Sequence, residues 1–195
     1  MKQRMIICGV LLALIFAAHA PALRATFVWD DTALILRDPL IRSWRLIPEG
    51  FQRFLFVDAT PSNFYRPVQR LSFTLEYWAF AFRPAPYHLT NILLHAATAI
   101  ALFIFALAFL RLYQADERKS LGVAAIASLA WALHPLHSGV VDYVAGRADS
   151  LAAFFGFTAL YFTVRALDRE SAWKFYAVTG FALLASALST ESGLV

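Results

Sequence analysis

Long runs of apolar residues alternate with short polar segments along most of this 195-residue chain. Five of these runs approach the roughly 20 residues that a helix needs to cross the hydrocarbon core of a bilayer. The pattern therefore predicts five transmembrane helices, at residues 5–23, 87–111, 120–138, 150–167 and 173–189. We take residues 1–195 as one all-α integral membrane module.

The first apolar run has a rival interpretation as a secretory signal peptide. Ala18-His19-Ala20 matches the small-residue cleavage pattern of such peptides. Pro21 would follow the cut, however, and the run is long for the apolar part of a signal peptide. We therefore favour an uncleaved first helix.

The segment between the first two predicted spans, residues 24–86, is too polar to cross a membrane and too apolar for a solvated linker. It contains eight arginines and no lysine, together with many aromatic residues. Apolar residues recur near helical spacing over 41–55, although Pro48-Glu49-Gly50 must interrupt a helix there. They recur again over 67–82, where Pro67 suits the first turn of a helix. The segment is therefore predicted to be a large outer loop whose interfacial helices lie on the membrane surface.

Composition supports a membrane protein and excludes some other classes. Hydrophobic residues make up 60% of the chain, against roughly 45–50% in soluble domains. The net charge of +4 does not indicate a nucleic-acid partner, because the basic residues form no single run or helix face. Membrane lipid is the expected anionic partner. Cys8 is the only cysteine, which excludes a disulfide framework.

The three lysines predict the orientation of the chain. Lys2, Lys119 and Lys174 lie in short segments that alternate correctly with five spans, and such segments favour the cytoplasmic side. The N-terminus is therefore predicted to be cytoplasmic, with the outer loop and residues 134–149 on the periplasmic or lumenal side. A bacterial inner membrane is the expected location.

Two adjacent carboxylates, Asp30 and Asp31, follow the first predicted span. At the edge of a membrane a carboxyl group is partly desolvated, so one of the two can hold a raised pKa and accept a proton from a hydroxyl group. An aspartate pair after a helix also suits a solvated turn. The residues alone leave both interpretations open.

Basic side chains on the same predicted side can bind an anion. Arg66 and Arg70 lie one helical turn apart and could grip a phosphate together, although arginines at this depth also reach toward lipid headgroups. Glu191 ends the fifth predicted span, where a carboxylate needs a partner. Arg147 or Arg66 would be a suitable ion-pair partner for Glu191.

Histidines form the remaining polar groups of interest. His88, Asn91 and His95 share one helix face, which suits ligand contact or hydrogen bonds between helices. His134 and His137 lie three residues apart with aspartates nearby. This set is compatible with a divalent metal ion, but its spacing matches no strong zinc signature, so no metal ligand is assigned.

Five short motifs follow one another along most of the chain. They are Phe27-Val28-Trp29-Asp30-Asp31, Tyr65-Arg66-Pro67-Val68, Tyr87-His88-Leu89-Thr90-Asn91-Ile92-Leu93-Leu94-His95, His134-Pro135-Leu136-His137 and Gly146-Arg147-Ala148-Asp149-Ser150-Leu151. In order and spacing the chain resembles the membrane part of the GT-C glycosyltransferases. The resemblance is strongest to the transmembrane and tetratricopeptide-repeat protein O-mannosyltransferases and their bacterial relatives.

The resemblance implies an enzyme that moves a sugar, mannose or another hexose, from a polyprenyl-phosphate carrier to a hydroxyl acceptor on the outer side of the membrane. Protein serine or threonine is the favoured acceptor. Carried over, Asp30 or Asp31 is the catalytic base, and Arg66, Arg70 and Arg147 neutralise the donor phosphate. The pocket residues that the resemblance implies are Tyr65, His88, Asn91, His95, His134, His137, Asp149 and Glu191. No cofactor is assigned apart from the polyprenyl-phosphate sugar as donor substrate, and a divalent metal ion is left open.

The chain departs from the family pattern at two places. Gly139 stands where a glutamate is usual, and Ser189-Thr190-Glu191 stands where Ser-Lys-Glu is usual. The later spans and repeats of the family are also missing, so one interpretation is a truncated member that is inactive by itself. The alternative function is a non-catalytic membrane scaffold or a subunit that binds the lipid carrier.

Overall fold

A computed structural model of the protein describes residues 2–56, 64–113, 116–167, 169 and 171–194, with only the backbone of Ser192 and Leu194. The described residues are helical without a β-strand, which confirms the all-α fold class. The long helices are α1 (Lys2–His19), α2 (Pro67–Phe80), α3 (Pro84–Leu112), α4 (Glu117–Ala132), α5 (Arg147–Leu167) and α6 (Trp173–Ala187).

Short helical turns connect the long helices. They are the 3₁₀ turns Ala20–Arg24, Pro39–Ile41, Trp44–Leu46, Pro135–His137, Val144–Gly146 and Glu191–Leu194, the π turn Thr32–Arg37, and the α turns Ile47–Gly50 and Ser138–Val141. The apolar spacing over 41–55 thus becomes a series of turns instead of one helix. Pro48 accounts for the break, because proline lacks the N–H that would continue the preceding turn.

Among the described residues, three helical segments are long and apolar enough to cross a membrane, namely Lys2–Arg24, Pro84–Leu112 and Val144–Leu167. The third predicted span is broken, because Glu117–Ala132 and Pro135–Val141 are bent by 49° where Pro135 interrupts the helix. α6 has 15 residues, so at 1.5 Å per residue it is shorter than the roughly 30 Å hydrocarbon core. The number of five spans therefore stays a prediction.

α3 is the central helix of the bundle. It packs against α1, α4 and α5, and α5 packs in turn against α6. Leu11 and Ile15 of α1 meet Phe103 of α3 in the apolar core. Ala99 of α3 and Ala124 of α4 are completely buried, and small residues of this kind let helix backbones approach closely.

A second apolar cluster fixes the long loop to one end of this bundle. It contains Ile35 of the loop, Phe73 of α2, Tyr87 of α3 and Val144 just before α5. Because its members come from four separate parts of the chain, the loop and α2 lie over the end of the bundle where α3 and α5 begin. Asp31 of the acid pair and Gln69 of α2 are therefore brought close to the start of α5.

Candidate functional site

Ala145, two residues before α5, connects the acid pair to α2. Its backbone N–H donates to Asp31 Oδ1 at 2.7 Å, and its carbonyl oxygen accepts from Gln69 Nε2 at 2.7 Å. Gln69 belongs to α2, next to Arg70. Three distant segments of the chain thus meet at the backbone of Ala145.

Asp31 is a buried anchor for the loop that carries the acid pair. Its side chain is 0% exposed, and its Oδ2 accepts from the backbone N–H of Val28 at 3.2 Å. Burial raises the pKa of the Asp31 carboxyl group, and the hydrogen bonds from Val28 and Ala145 offset part of that rise. With both oxygens bonded to backbone inside the protein, Asp31 presents no free oxygen to a substrate.

Replacing Asp31 with alanine is expected to lower the free energy of unfolding by about 1–3 kcal/mol, because the N–H of Ala145 would remain buried without an acceptor. Thermal unfolding of the detergent-purified chain measures the loss. Asp30→Ala is the matched control and should melt like the wild type, since its side chain is exposed. Equal losses in the two variants would contradict the anchoring role.

Asp30 is exposed and directed differently from its neighbour. Its backbone N–H donates to the hydroxyl of Tyr143 at 3.0 Å, and the ring of Trp29 lies edge-on to that tyrosine, with centroids 6.0 Å apart. Trp29 has a φ of 48°, a left-handed conformation that costs energy for a bulky residue. This turn separates two aspartates that are equivalent in the sequence, one inside and one at the surface.

Tyr143 remains a neutral hydroxyl beside the exposed aspartate. Burial raises the pKa of the Tyr143 hydroxyl, and the carboxylates of Asp30 and Asp31 raise it further. The hydroxyl group therefore keeps its proton at neutral pH. It holds the backbone of Asp30 in place without adding charge to the site.

Arg70, predicted to bind the donor phosphate, has no unused donor. Its Nε donates to Asp38 Oδ2 at 2.9 Å, and its two Nη atoms donate to four backbone carbonyl oxygens between Gly50 and Leu55, at 2.6–3.2 Å. A guanidinium group has five N–H donors, so all of them are occupied. Arg70 holds the loop in shape and would have to abandon these bonds to bind a phosphate.

Arg147, also predicted to bind the phosphate, lies in a second internal network. It is 0% exposed and forms an ion pair with Glu76 of α2. Its Nε donates to Asn91 Oδ1 at 2.8 Å, and its Nη2 donates to the carbonyl oxygen of Tyr87 at 2.9 Å. Arg147 and Asn91 therefore join α2, α3 and α5 inside the protein instead of lining an open pocket.

Arg66 is the predicted phosphate ligand that stays near the surface. Its Nε and Nη2 donate to Glu191 Oε2 at 3.0 and 2.7 Å, and the N–H of Tyr65 donates to Glu191 Oε1 at 3.3 Å. Partial burial raises the pKa of Glu191, but the hydrogen bonds and charge of Arg66 outweigh it and hold that pKa below its usual value. Another anion can reach Arg66 in competition with Glu191.

Histidines cluster between α1, α3 and the turn after α4. The ring centroids of His95 and His137 are 5.0 Å apart, and His19 lies edge-on to His95 at 5.7 Å. His95 Nε2 is 2.9 Å from the carbonyl oxygen of Ala132, and His19 Nδ1 is 2.7 Å from Asp142 Oδ1. These contacts join helices, so the histidine cluster stabilises the bent segment after α4.

His134, Asp149 and His88 are the remaining predicted pocket residues, and each has different surroundings. His134 Nδ1 accepts from the N–H of Leu136 and caps the following turn, and Asp149 is exposed at the start of α5. His88 is buried, and neither of its ring nitrogens has a partner among the described residues. Within that same part of the chain, His, Cys, Asp and Glu form no group of three or more that could hold a metal ion.

Several residues that build the site were missed in the sequence. Glu76 and Asp38 pair with the buried arginines, Gln69 donates to the carbonyl oxygen of Ala145, and Tyr143 accepts from the N–H of Asp30. Glu76 could have been identified from the sequence, because a carboxylate within a largely apolar helix needs a partner. Asp38, Gln69 and Tyr143 could not, because their partners lie far away in the sequence.

The fold and the site together define a helical membrane protein whose long loop presents an exposed carboxylate at one end of the bundle. Along nearly its whole length the chain is similar to protein O-mannosyl-transferases. It is 30% identical over 187 residues to protein O-mannosyl-transferase TMTC1 of Mus musculus, covering 91% of this chain and 19% of that protein. This similarity confirms the resemblance that the motifs predicted.

Two further relatives extend the comparison. TMTC3 of Homo sapiens is 29% identical over 202 residues, covering 100% of this chain and 20% of that protein. Tmtc1 of Drosophila melanogaster is 32% identical over 188 residues, covering 93% and 21%. The chain thus spans about a fifth of the length of these relatives. No protein-family model and no solved structure matches it.

Proposed function

We propose that this chain forms the acceptor-activating part of a protein O-mannosyltransferase that uses a polyprenyl-phosphate sugar as donor. The similarity to proteins named protein O-mannosyl-transferases supports the class of reaction. The observation that carries the assignment of the base is the exposed carboxylate of Asp30 beside the anchored Asp31. The donor sugar is mannose or another hexose, and the acceptor is a serine or threonine hydroxyl of a protein.

In this proposal Asp30 is the general base. It takes the proton of the acceptor hydroxyl as the oxygen attacks the anomeric carbon, and the bond from that carbon to the carrier phosphate breaks. The bonding electrons leave with the phosphate, which is a good leaving group, so no second carboxyl group is needed as an acid, unlike in glycoside hydrolysis. Asp31 and Tyr143 position the base without touching the substrate.

Arg66 is the side chain proposed to meet the donor phosphate. Arg70 and Arg147 are occupied by internal partners, whereas Arg66 is held by the half-exposed carboxylate of Glu191. An arriving phosphate offers the guanidinium group a stronger, bidentate acceptor. Glu191 thus keeps Arg66 in place until the donor displaces it.

Glu191→Gln is expected to tighten binding of polyprenyl phosphate by up to about fivefold, because an exposed ion pair of this strength no longer competes for Arg66. A titration followed by thermal stability measures it, since a ligand that binds only the folded chain raises its melting temperature. Arg66→Ala should lose binding, whereas Arg83→Ala, another exposed arginine of the loop, should not. Equal weakening by Arg66→Ala and Arg83→Ala would contradict this role of Arg66.

The difference in polyprenyl-phosphate binding between the wild type and Glu191→Gln should depend on pH. The pKa of Glu191 is lowered from 4.5 in the folded chain. The ion pair is therefore fully formed above that value, and it is lost as the pH falls through the lowered pKa. Below that pH the wild type and Glu191→Gln should bind polyprenyl phosphate equally well.

The proposal places the reaction on the periplasmic or lumenal side, with a cytoplasmic N-terminus. The positions of Lys2, Lys119 and Lys174 support this orientation, and a bacterial inner membrane remains the proposed location. Transfer of labelled mannose from synthetic polyprenyl-phosphate mannose to a serine- or threonine-containing peptide tests the activity. It should depend on Asp30.

A second candidate function is a non-catalytic subunit that binds the lipid carrier or acts as a membrane scaffold. The observation that favours it is the internal pairing of Arg70 and Arg147, which leaves few free cations for a phosphate in transit. This candidate predicts that binding of polyprenyl phosphate depends on Arg66. It also predicts that no assay detects an effect of Asp30→Asn.

A further inference from the structure

A small cavity lies at the end of the bundle opposite to Asp30. It has a volume of about 100 Å³ and is enclosed by α1, α3 and α5. Its lining comprises Arg4, Ile104, Leu107, Ala108, Arg111, Tyr161 and Arg165. Three arginines thus surround a pocket whose remaining walls are apolar except for one tyrosine, a combination that the transfer chemistry does not use.

Within the part of the chain that the structure describes, the arginines of this cavity outnumber the carboxylates that pair with them. Glu117 pairs with Arg4 at 2.7 Å and with Arg111 at 3.4 Å, and its own side chain is 78% exposed to solvent. Arg165 is partly buried and has no hydrogen bond or ion pair with any described residue. Asp116 is occupied in capping α4 and does not line the cavity. Among the described residues, Glu117 is thus shared by two of the three guanidinium groups, and the third, that of Arg165, has no carboxylate partner.

The position of the cavity determines which anions can reach it. Arg4 lies in the first turn of α1, and Arg111 and Arg165 lie in the last turns of α3 and α5. The ends of membrane-crossing helices lie at the level of the lipid headgroups, and basic pockets between such helices bind anionic headgroups. Ile104 and Leu107 continue the pocket toward the membrane interior, where an acyl chain can lie.

We propose that this cavity binds the phosphate group of an anionic phospholipid. Guanidinium groups match phosphate oxygens with paired, charge-assisted hydrogen bonds, and the donors of Arg165 have no acceptor among the described residues. Arg111 and Arg165 also offset the negative ends of the helix dipoles, but a dipole needs no cavity and no third arginine. The site is independent of Asp30 and of the transfer reaction.

Thermal stability of the full 195-residue chain in neutral detergent tests the site. The probes are short-chain phosphatidylglycerol, short-chain phosphatidylcholine and inorganic phosphate. Phosphatidylglycerol should raise the melting temperature in a saturable way, whereas phosphatidylcholine should not. Arg165→Gln should weaken the response to phosphatidylglycerol about tenfold, the effect of losing one charge-assisted contact. Arg169→Gln, whose parent arginine packs over Phe175 outside the cavity, should respond like the wild type.

The remaining outcomes also decide the question. If inorganic phosphate gives the full stabilisation and Arg165→Gln removes it, the site stands and its ligand is a free phosphate. If phosphatidylcholine stabilises as well as phosphatidylglycerol, the response is to acyl chains and the proposal is wrong. If Arg165→Gln and Arg169→Gln both respond like the wild type, Arg165 only offsets the dipole of α5, and the proposal fails.

Discussion

Asp30→Asn is expected to reduce sugar transfer by about 10²- to 10⁴-fold, the contribution typical of a positioned general base. The amide has nearly the same shape as the carboxyl group but cannot take a proton from the acceptor hydroxyl. The Asp30 side chain is exposed, and its hydrogen bond to Tyr143 comes from the backbone N–H, which the substitution retains. The variant should therefore fold and melt like the wild type.

The transfer assay and the melting temperature are measured on the same preparations of wild type and variants. Glu49→Gln is the matched control, because it removes another exposed carboxylate of the same loop without touching the acid pair, and it should keep full activity. A fully active Asp30→Asn would overturn the assignment of the base. A wild-type chain that shows no transfer, yet binds polyprenyl phosphate through Arg66, would favour the non-catalytic subunit.

Arg147→Met is expected to lower the free energy of unfolding by about 3–5 kcal/mol, the cost of leaving one partner of a buried ion pair uncompensated. Arg147 is completely buried, and the Glu76 side chain is only 8% exposed. Oε1 of Glu76 already lacks a partner among the described residues. Removing the guanidinium group would also leave Asn91 Oδ1 without its donor.

A double-mutant cycle separates the ion pair from the other contacts of Arg147. Glu76→Leu and the double variant Glu76→Leu/Arg147→Met complete the cycle, and the double variant should lose much less stability than the two single losses added together. Arg45→Met, at an exposed arginine of the loop, is the control and should change little. Additive losses in the cycle would show that the two charges do not stabilise each other.

The membrane helices could be predicted because the signal that defines them is local. The continuous apolar run of 87–111 is sufficient to specify a long helix, and α3 extends over Pro84–Leu112. Pro135 marks the break in the third predicted span. Its missing N–H and fixed φ interrupt a helix whatever the tertiary structure around it. Length was the weaker signal, since α6 ends after 15 residues.

The role of each charged residue could not be predicted in the same way. Helical spacing places Arg66 and Arg70 one turn apart, but it does not show that the carbonyl groups of 50–55 fold around Arg70. Arginine side chains are long, so the acceptors that reach them depend on distant segments. The same argument applies to Arg147, whose partner Glu76 lies 71 residues earlier.

The sequence by itself determined that this chain is helical, that it is built for a membrane, and that it resembles the protein O-mannosyltransferases. Hydrophobic run length, proline and short motifs carry that information locally. Only the tertiary structure decided which aspartate faces the solvent, because Asp31 is drawn inside by the N–H of Ala145, 114 residues away. A buried carboxylate must find hydrogen-bond donors, and where they lie is fixed by how the helices pack.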